Sequence, residues 1–593
     1  ISFSTVLSYI IRRNDMKDYL SIYKEWLANP YFDEKTKQEL KAIEGNEEEI
    51  KERFYKDLEF GTAGLRGIIG AGINRMNIYV VRRATQGLAD YIISQGKQDK
   101  GVAIAYDSRR MSPEFSMEAA LTLAANGIKA YRFESLRPTP ELSFAVRELN
   151  CVAGINVTAS HNPPEYNGYK VYWEDGAQFT PPHDKGVTDC VLAIEDLSKV
   201  KVIDEKIARE KGLLVDIGKD IDDKYIECVK AQIVNQDAID KMGNSISIVY
   251  TPLHGTGNIP VRRVLKEIGF TNVNVVPEQE LPNGDFPTVS YPNPEDKAAF
   301  KLGLELAKEK NADLVLATDP DADRLGVYVK DTKSGEYIAL TGNMSGSLLC
   351  EYILSQRKKN NNIPQDAEVV KSIVTTNLVD EVAKYYDCKL IEVLTGFKWI
   401  GQQILKEENT KKGKYMFGLE ESYGCLIGSY ARDKDAVSAT VALCEAAAYY
   451  KTMGKTLWDA MIDIYEKYGY YVDGVKSIGL AGIEGLAKIK RIMEYFRNNT
   501  LTKIGDYKVV SIRDYKLDTI KNLSTGEVGK TGLPSSDVIY YDCEDGVWIC
   551  IRPSGTEPKI KFYFGVKGVS LDDADIKSEK LGKDIQNIVD SIE

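Results

Sequence analysis

Three stretches of this chain repeat one hydrophobic rhythm. Short apolar runs of strand length alternate with segments whose apolar positions recur every three or four residues, and each stretch closes on an apolar run that opens into a polar loop. The first stretch predicts a strand over 102–106, a helix near 113–126, a strand over 129–133, a helix over 140–149, and a strand running into Ser160. The second predicts a strand over 247–250, a Gly-containing loop over 252–257, a helix over 260–268, a strand over 273–276, a helix over 296–310, and a strand into Asp319. In the third, strands over 368–374 and 389–394 alternate with helices over 378–386 and 397–407 before a strand into Glu420. Strand and helix in alternation give sheets with helices on their faces, so the expectation is an α/β chain of three related domains with mixed sheets. The remainder differs, with a helix near 483–497, strands around 507–512 and 538–541, and a hairpin signal at Asp545-Gly546. It reads as a smaller C-terminal α+β domain. The expected boundaries are 1–215, 216–341, 342–465 and 466–593.

The loops that end these runs hold the candidate chemistry. In Thr158-Ala-Ser160-His161-Asn162-Pro163 one serine stands among small, polar and helix-breaking residues after a buried strand. Loops at the carboxyl ends of such strands are where α/β folds bind ligands, which makes Ser160 a candidate reactive group; the alternative is a turn serine before Asn-Pro. In Asp319-Pro-Asp321-Ala-Asp323-Arg324 three carboxylates alternate with small or rigid residues between two apolar strands. Such a bend can converge three oxygens on a hard cation. An EF-hand is excluded because its sixth and twelfth positions would be Arg324 and Lys330 and its flanks are strands. An acidic turn in contact with solvent remains open, although Arg324 beside the acids suits a ligand carrying phosphate.

The loop after 547–551 offers Arg552, Ser554, Gly555, Thr556 and Lys559, the ingredients of a phosphate cradle or, equally, of a polar hairpin loop. Gly418-Leu-Glu420-Glu421-Ser422 offers carboxylates and a hydroxyl suited to sugar hydroxyls. Paired Glu could as well begin a helix and complement its dipole.

These four loops, in this order, resemble the α-D-phosphohexomutase family, and the resemblance runs from about Phe60 to Lys567. Gly61-Thr-Ala-Gly-Leu-Arg66-Gly67 is similar to the family's first active-site loop, and the Ser160 loop to its phosphoserine loop. The loops at Asp319, Glu420 and Arg552 are similar to its metal, sugar and phosphate loops. The resemblance implies four domains around a central cleft, with the last one mobile. It also implies a phosphoserine at Ser160 that completes the coordination of one Mg2+ by Asp319, Asp321 and Asp323. The implied reaction is interconversion of glucose 1-phosphate and glucose 6-phosphate through bound glucose 1,6-bisphosphate. Lys170 and Lys398 match family positions for a general base, with His161 as a brace or proton carrier beside the serine. Arg66 and Arg109 are implied supports of the serine loop, and Arg324, Thr395, Gly396, Glu420, Ser422, Arg552, Ser554, Gly555 and Thr556 implied substrate contacts.

Some relatives place histidine where Tyr423-Gly424 stands here, which favours the glucose branch over the dual mannose and glucose branch. A pentose-phosphate mutase or sugar-bisphosphate synthase of the same branch is not separated by these residues. A metal-dependent phosphatase using Asp319 or Asp321 as nucleophile would leave Ser160, Glu420 and the Arg552 loop unexplained.

Composition agrees with a large enzyme. At 593 residues the length prior is about four domains. A hydrophobic share of 43% fills several cores, and the net charge of -11 argues against nucleic acid as a partner. Nine Cys without a Cys-x-x-Cys spacing fit a reducing cytoplasm better than disulfides or zinc. The apolar run 3–11 is too short to span a bilayer, and its charges follow the run, the reverse of a secretory signal. The sequence opens on Ile1 without methionine, which reads as a truncated or processed beginning. A small sugar phosphate is the expected partner of a monomer or homodimer, with no membrane association.

Overall fold

The computed structural model describes residues 18–59, 64–480, 482–554 and 559–592; the apolar run 3–11 lies outside them. The described chain forms two units. The first extends to Asp223 and takes in two later returns, His254–Thr256 and Leu281–Asn293; the second holds the rest.

In the first unit β1 (Leu65–Ile68), β2 (Val102–Tyr106), β3 (Ala130–Phe133), β4 (Ala153–Val157), β5 (Tyr166–Trp173) and β6 (Leu214–Ile217) form one sheet, ordered β1-β5-β4-β2-β3-β6. Strands β4, β2, β3 and β6 are parallel, β5 returns antiparallel on β4, and β1 lies antiparallel on β5 at the edge. Every residue of β2 and β4 is buried. Covered on both faces, such strands need apolar side chains at successive positions, which is why they read as continuous runs without alternation. The core joins them to helices Ile78–Ser94 and Ser112–Ala125 through Val81, Leu88, Phe115 and Leu123. Asn77 starts the first of these helices by accepting a hydrogen bond from Val80 N at 3.0 Å.

The second unit contains two more sheets on the same plan. In one, β7 (Ile248–Thr251), β8 (Val273–Val275), β9 (Leu314–Thr318), β10 (Leu325–Lys330) and β11 (Tyr337–Leu340) are ordered β11-β10-β9-β7-β8. In the other, β12 (Ala367–Ser372), β13 (Lys389–Val393), β14 (Lys414–Glu420) and β15 (Gly424–Ile427) are ordered β13-β12-β14-β15. Each time the last parallel strand, β4, β9 or β14, ends in a loop and the chain returns antiparallel beside it as β5, β10 or β15. The three loops so formed carry Ser160, Asp319 and Glu421, the recurrence expected from the hydrophobic pattern. One expected element is modified: the helix over 296–310 begins as a 3-10 turn, Lys297–Phe300, capped by Asp296, and becomes α-helical over Lys301–Lys310.

The C-terminal portion is α+β, as expected. Its eight strands are β16 (Tyr470–Gly479), β17 (Lys503–Ile504), β18 (Tyr507–Asp514), β19 (Thr519–Asn522), β20 (Val528–Gly529), β21 (Ile539–Cys543), β22 (Trp548–Pro553) and β23 (Lys559–Gly568). All pairings are antiparallel. Helices Gly482–Asn498 and Leu571–Asp590 cover one face, burying Ile492, Phe496, Leu581 and Ile585 against Ile549 and Phe562. The other face meets the third sheet, where Ile373, Val374 and Leu394 pack with Tyr540, Trp548 and Tyr563. Arg513 crosses the same boundary to Glu392 at 3.0 Å.

Candidate active site

The serine loop begins where β4 runs out of apolar residues. Thr158 Oγ1 donates to Asp107 Oδ2 at 2.6 Å and accepts from Ser160 N at 2.8 Å, which turns the backbone sharply. Ser160 consequently takes a φ of 51°, in the left-handed region. For a residue with a Cβ this costs on the order of 1–2 kcal/mol. Arg109 is the counterweight. Fully buried, it ion-pairs with Asp107 at 3.4 Å and donates to the carbonyls of Ser160 at 2.6 Å, Pro163 at 2.8 Å and Tyr166 at 3.0 Å, and also to that of Asn162. One guanidinium thus holds four carbonyls of a single loop. Arg66 on β1 adds a bond to Asn162 Oδ1 at 2.8 Å, and His161 Nδ1 lies 3.2 Å from Ser160 Oγ. Lys170 is buried on β5, in register with Asn156 of β4. Of the first active-site loop, Gly61, Thr62 and Ala63 lie outside the described residues.

The acidic loop is a buried turn. Asp319, Asp321 and Asp323 are each at most 2% exposed, and one ligand oxygen from each lies within 4.8 Å of the others. Asp319 Oδ1 accepts from the backbone of Asp323 and Arg324, both at 3.1 Å, and Ala322 at φ 52° completes the bend. Burial, then the charges of Asp321 and Asp323, push the Asp319 carboxyl well above its ordinary range. Three buried carboxylates this close together gain from added positive charge, of which Lys434 supplies one beside Asp323. The all-oxygen donor set, its convergence and its mutual repulsion fit a hard divalent ion. Solvent contact, the alternative for an acidic turn, is incompatible with this burial.

The third loop is a hairpin turn from β14 to β15, so the paired glutamates do not begin a helix. Glu420, the last residue of β14, is buried and accepts from Gly396 N at 2.7 Å; Gly396 caps the helix Phe397–Thr410 that carries Lys398 in its first turn. Thr395 Oγ1 is buried without a hydrogen-bond partner among the described residues, as a group awaiting a ligand would be. Burial raises the Glu420 carboxyl, while Lys434 and Arg324 work to keep it ionised. Glu421 is pushed up to about 7, by burial and then by Glu420. Ser422 lies at the turn, half-buried.

Lys434 was not among the residues that the sequence singled out. Its Nζ lies 3.1 Å from Asp323 Oδ2 and 3.1 Å from Asp433 Oδ1, and it also acts on Glu420, so it joins the acidic loop to the Glu420 loop. Gly424 makes the room: a Cβ there would stand 2.0 Å from Lys434 Cδ. Glu295 was also missed; it pairs with Arg324. A signal existed for the lysine, because Arg432-Asp433-Lys434-Asp435 puts four charges directly before a buried helix, and buried charges must be paired. Glu295 gives no such signal.

Arg552, at the end of β22, stands in register with Lys561 of β23, and Ser554 N donates to Lys559 O at 2.8 Å where the strands part. Gly555 and Thr556 lie outside the described residues. Burial, then the charge of Lys559, lowers the pKa of Lys561, which also feels Glu295, Glu421 and Arg552. Among the residues expected in the site, the second unit therefore brings Arg324, Gly396 and Glu420 together, and the first gathers Arg66, Arg109, His161 and Ser160.

No helix among the described residues is long and apolar enough to cross a membrane, and all nine cysteines are free thiols.

Known proteins match most of the chain. Models of the phosphoglucomutase/phosphomannomutase alpha/beta/alpha domains I, II and III match residues 57–198, 223–335 and 341–468, and the model of its C-terminal domain matches 508–573. A phosphoglucomutase of Staphylococcus saprophyticus is 37% identical over 527 residues, covering 89% of this chain and 94% of its own. One of Staphylococcus aureus (strain MRSA252) is 38% identical over 526 residues, covering 88% and 92%. Among solved structures, a phosphoglucomutase/phosphomannomutase family protein of Burkholderia thailandensis has a TM-score of 0.61 at 19% identity, covering 90% of this chain and 98% of its own. Parafusin of Paramecium gives 0.65 at 17% identity, over 90% and 96%. The two structures share the fold and the two sequences share most of the chain, so this protein belongs to the phosphoglucomutase/phosphomannomutase family, the α-D-phosphohexomutases.

Proposed function

We propose that the chain interconverts glucose 1-phosphate and glucose 6-phosphate, with phosphorylated Ser160 as the phosphoryl store and glucose 1,6-bisphosphate as the intermediate that also primes the enzyme. The observation that carries the reading is the Ser160 loop, a strained and buried turn whose carbonyls are held by Arg109. A phosphatase working through Asp319 or Asp321 has no use for it.

In the forward step the free hydroxyl oxygen of the sugar phosphate bonds to the phosphorus on Ser160 as the bond from phosphorus to Oγ breaks. The hydroxyl proton goes to a neutral Lys Nζ, of Lys398 or Lys170, and Ser160 Oγ regains a proton, for which His161 Nδ1 at 3.2 Å is suitably close. The bisphosphate then turns around and returns its other phosphate to Ser160 by the reverse exchange. Asp319, Asp321 and Asp323 would hold Mg2+, which supplies charge compensation for the phosphoryl oxygens when bound. Glu420 and Ser422 hold sugar hydroxyls, and acceptors of this kind tolerate both orientations of the ring. Arg324, Thr395 and Gly396 support the ring and its phosphate, and Arg552, Ser554, Gly555 and Thr556 grip the phosphate that is not transferred. The reading includes four domains bounded near residues 215, 341 and 465 and a cytoplasmic setting, to which nine free thiols are suited.

The test is a substrate panel. With Mg2+ and a trace of glucose 1,6-bisphosphate, kcat/KM should be highest for glucose 1-phosphate among glucose, mannose, N-acetylglucosamine and ribose 1-phosphates. Preference for ribose 1-phosphate would reassign the chain to the phosphopentomutase branch, and phosphate release without isomerisation would make it a phosphatase.

A further inference from the structure

The three helices ahead of the first α/β domain, Tyr19–Ala28, Glu34–Ala42 and Glu47–Phe54, form a module with its own apolar centre. Trp26 stacks on Phe32 at 4.1 Å and meets Phe54 and Tyr79 edge-on at 5.6 and 5.7 Å. Tyr79 belongs to the sheet domain, so this aromatic cluster docks the module there. Polar ties extend the docking to the segment between β1 and Tyr79. Glu39 Oε1 accepts from Ala71 N at 3.0 Å, Arg53 Nη1 donates to Ala71 O at 3.2 Å, and Arg53 and Glu39 pair with each other at 2.5 Å. Arg53 O accepts from Asn74 N at 3.0 Å, and Glu52 takes Asn74 Nδ2 and Arg75 Nη1, both at 2.8 Å. At Gly72, φ is +133° and a Cβ would come within 2.8 Å of Arg53 O, so only glycine allows this approach.

The clamped segment touches the reactive loop. Met76 N returns to Ile68 O at 2.8 Å on the end of β1, and Ile69 N donates to Glu165 O at 2.8 Å. Two residues before Ile68 stands Arg66, bonded to Asn162 at 2.8 Å. Strand β1 has four residues and is paired on one side alone, at the edge of its sheet. An edge strand this short is weakly fixed by its own ladder.

We propose that the helical module is a brace that supplies the missing rigidity, fixing Arg66 against the serine loop, with Arg53 and Glu39 as positioning residues for phosphoryl transfer. The inference rests on the reading of Ser160 as the phosphoryl carrier. A misplacement of about 1 Å at a reacting group can cost on the order of a hundredfold in rate, so a loosened brace acts on transfer far more than on substrate affinity.

The test is a double-mutant cycle read on single-turnover phosphorylation of Ser160 by glucose 1,6-bisphosphate in the full-length chain. Arg53→Ala should slow transfer about tenfold or more, with circular dichroism unchanged and KM for glucose 1-phosphate within about twofold. Arg66→Ala should slow it similarly, and the double variant should be no slower than Arg66→Ala alone, because both act through one contact. If Arg53→Ala loses its fold, Glu39→Gln takes its place in the cycle with the same expectation at smaller amplitude. Wild-type transfer rates in the brace variant, or losses that multiply in the double variant, overturn the brace. Wild-type protein that takes no phosphate on Ser160 overturns the underlying reading, and the brace with it.

Discussion

Lys434 Nζ stands 3.1 Å from Asp323 Oδ2, an oxygen of one of the three clustered aspartates. A buried lysine here offsets one of the negative charges and would compete with a metal for that oxygen. One divalent ion bound there would then leave the acidic loop without a large uncompensated charge. Because Lys434 also acts on Glu420, the acidic loop and the Glu420 loop share one source of positive charge.

Replacing it separates two effects. Lys434→Met should lower turnover about tenfold or more, since Glu420 loses the cation that helps keep it ionised, yet it should not weaken Mg2+ binding. A Mg2+ activation curve measures both. A higher Mg2+ requirement in the variant would contradict the assigned role.

Asp321→Asn should do the reverse. One anionic oxygen donor is lost with shape retained, so Mg2+ affinity and turnover fall together, by an expected factor of about a hundred in turnover. Isothermal titration with Mg2+ alongside the mutase assay tests this, and unchanged metal affinity would exclude Asp321 as a ligand.

Arg109 and Arg66 both touch the serine loop but differ in what they hold. Arg109 is buried with Asp107, so Arg109→Met leaves an unpaired buried carboxylate and should cost about 3–5 kcal/mol in denaturant unfolding. Arg66 is only half-buried, and Arg66→Ala should cost about 1 kcal/mol or less while still slowing transfer. Equal stability losses would mean that the two arginines do not divide the work in this way.

Local sequence patterns reach only part of this structure. Strands β4, β9 and β14 were legible because burial on both faces forces continuous apolar runs, and their loops stood out where the runs broke. The helix Ala436–Lys451 escaped for a related reason: buried nearly all round, it lacks the amphipathic period that marks a helix. Lys434 meets Asp323 across 111 positions, and a local pattern cannot express a pairing of that range. The module before the first sheet was missed because Glu39 and Arg53 occupy ordinary charged positions in short amphipathic helices, and their bonds to the backbone of Ala71, 32 and 18 residues on, have no local pattern to mark them.

Stability should respond to pH through Glu445. This carboxyl accepts from Val234 N at 3.0 Å, Asn235 N at 2.6 Å and Tyr352 Oη at 2.9 Å, and burial pushes it up to about 7. A carboxyl raised on folding contributes stability that is complete below its unfolded pKa near 4.5 and lost as pH rises through about 7. The loss amounts to about 3 kcal/mol. Glu445→Gln keeps the acceptor oxygen and removes the charge, so its unfolding midpoint should gain on wild type between pH 5 and pH 8. A difference that stays flat or reverses over that window would show that Glu445 does not titrate there.

Glu420→Gln tests the sugar loop. It should reduce isomerisation of glucose 1-phosphate about tenfold or more and leave transfer from glucose 1,6-bisphosphate to Ser160 partly intact, because holding the ring in two poses differs from moving the phosphoryl group. Equal loss of both would assign Glu420 to the transfer itself.

The central claim is that Ser160 carries the phosphoryl group. Its most direct test is peptide mass spectrometry of the full-length chain after brief incubation with glucose 1,6-bisphosphate and Mg2+, followed by a chase with excess glucose 6-phosphate. The account predicts one phosphate, on the peptide containing Ser160, gained in the pulse and lost in the chase, and none in Ser160→Ala, which should retain its fold and lack mutase activity. Phosphate on Asp319 or Asp321 instead, or mutase turnover in Ser160→Ala, would contradict it.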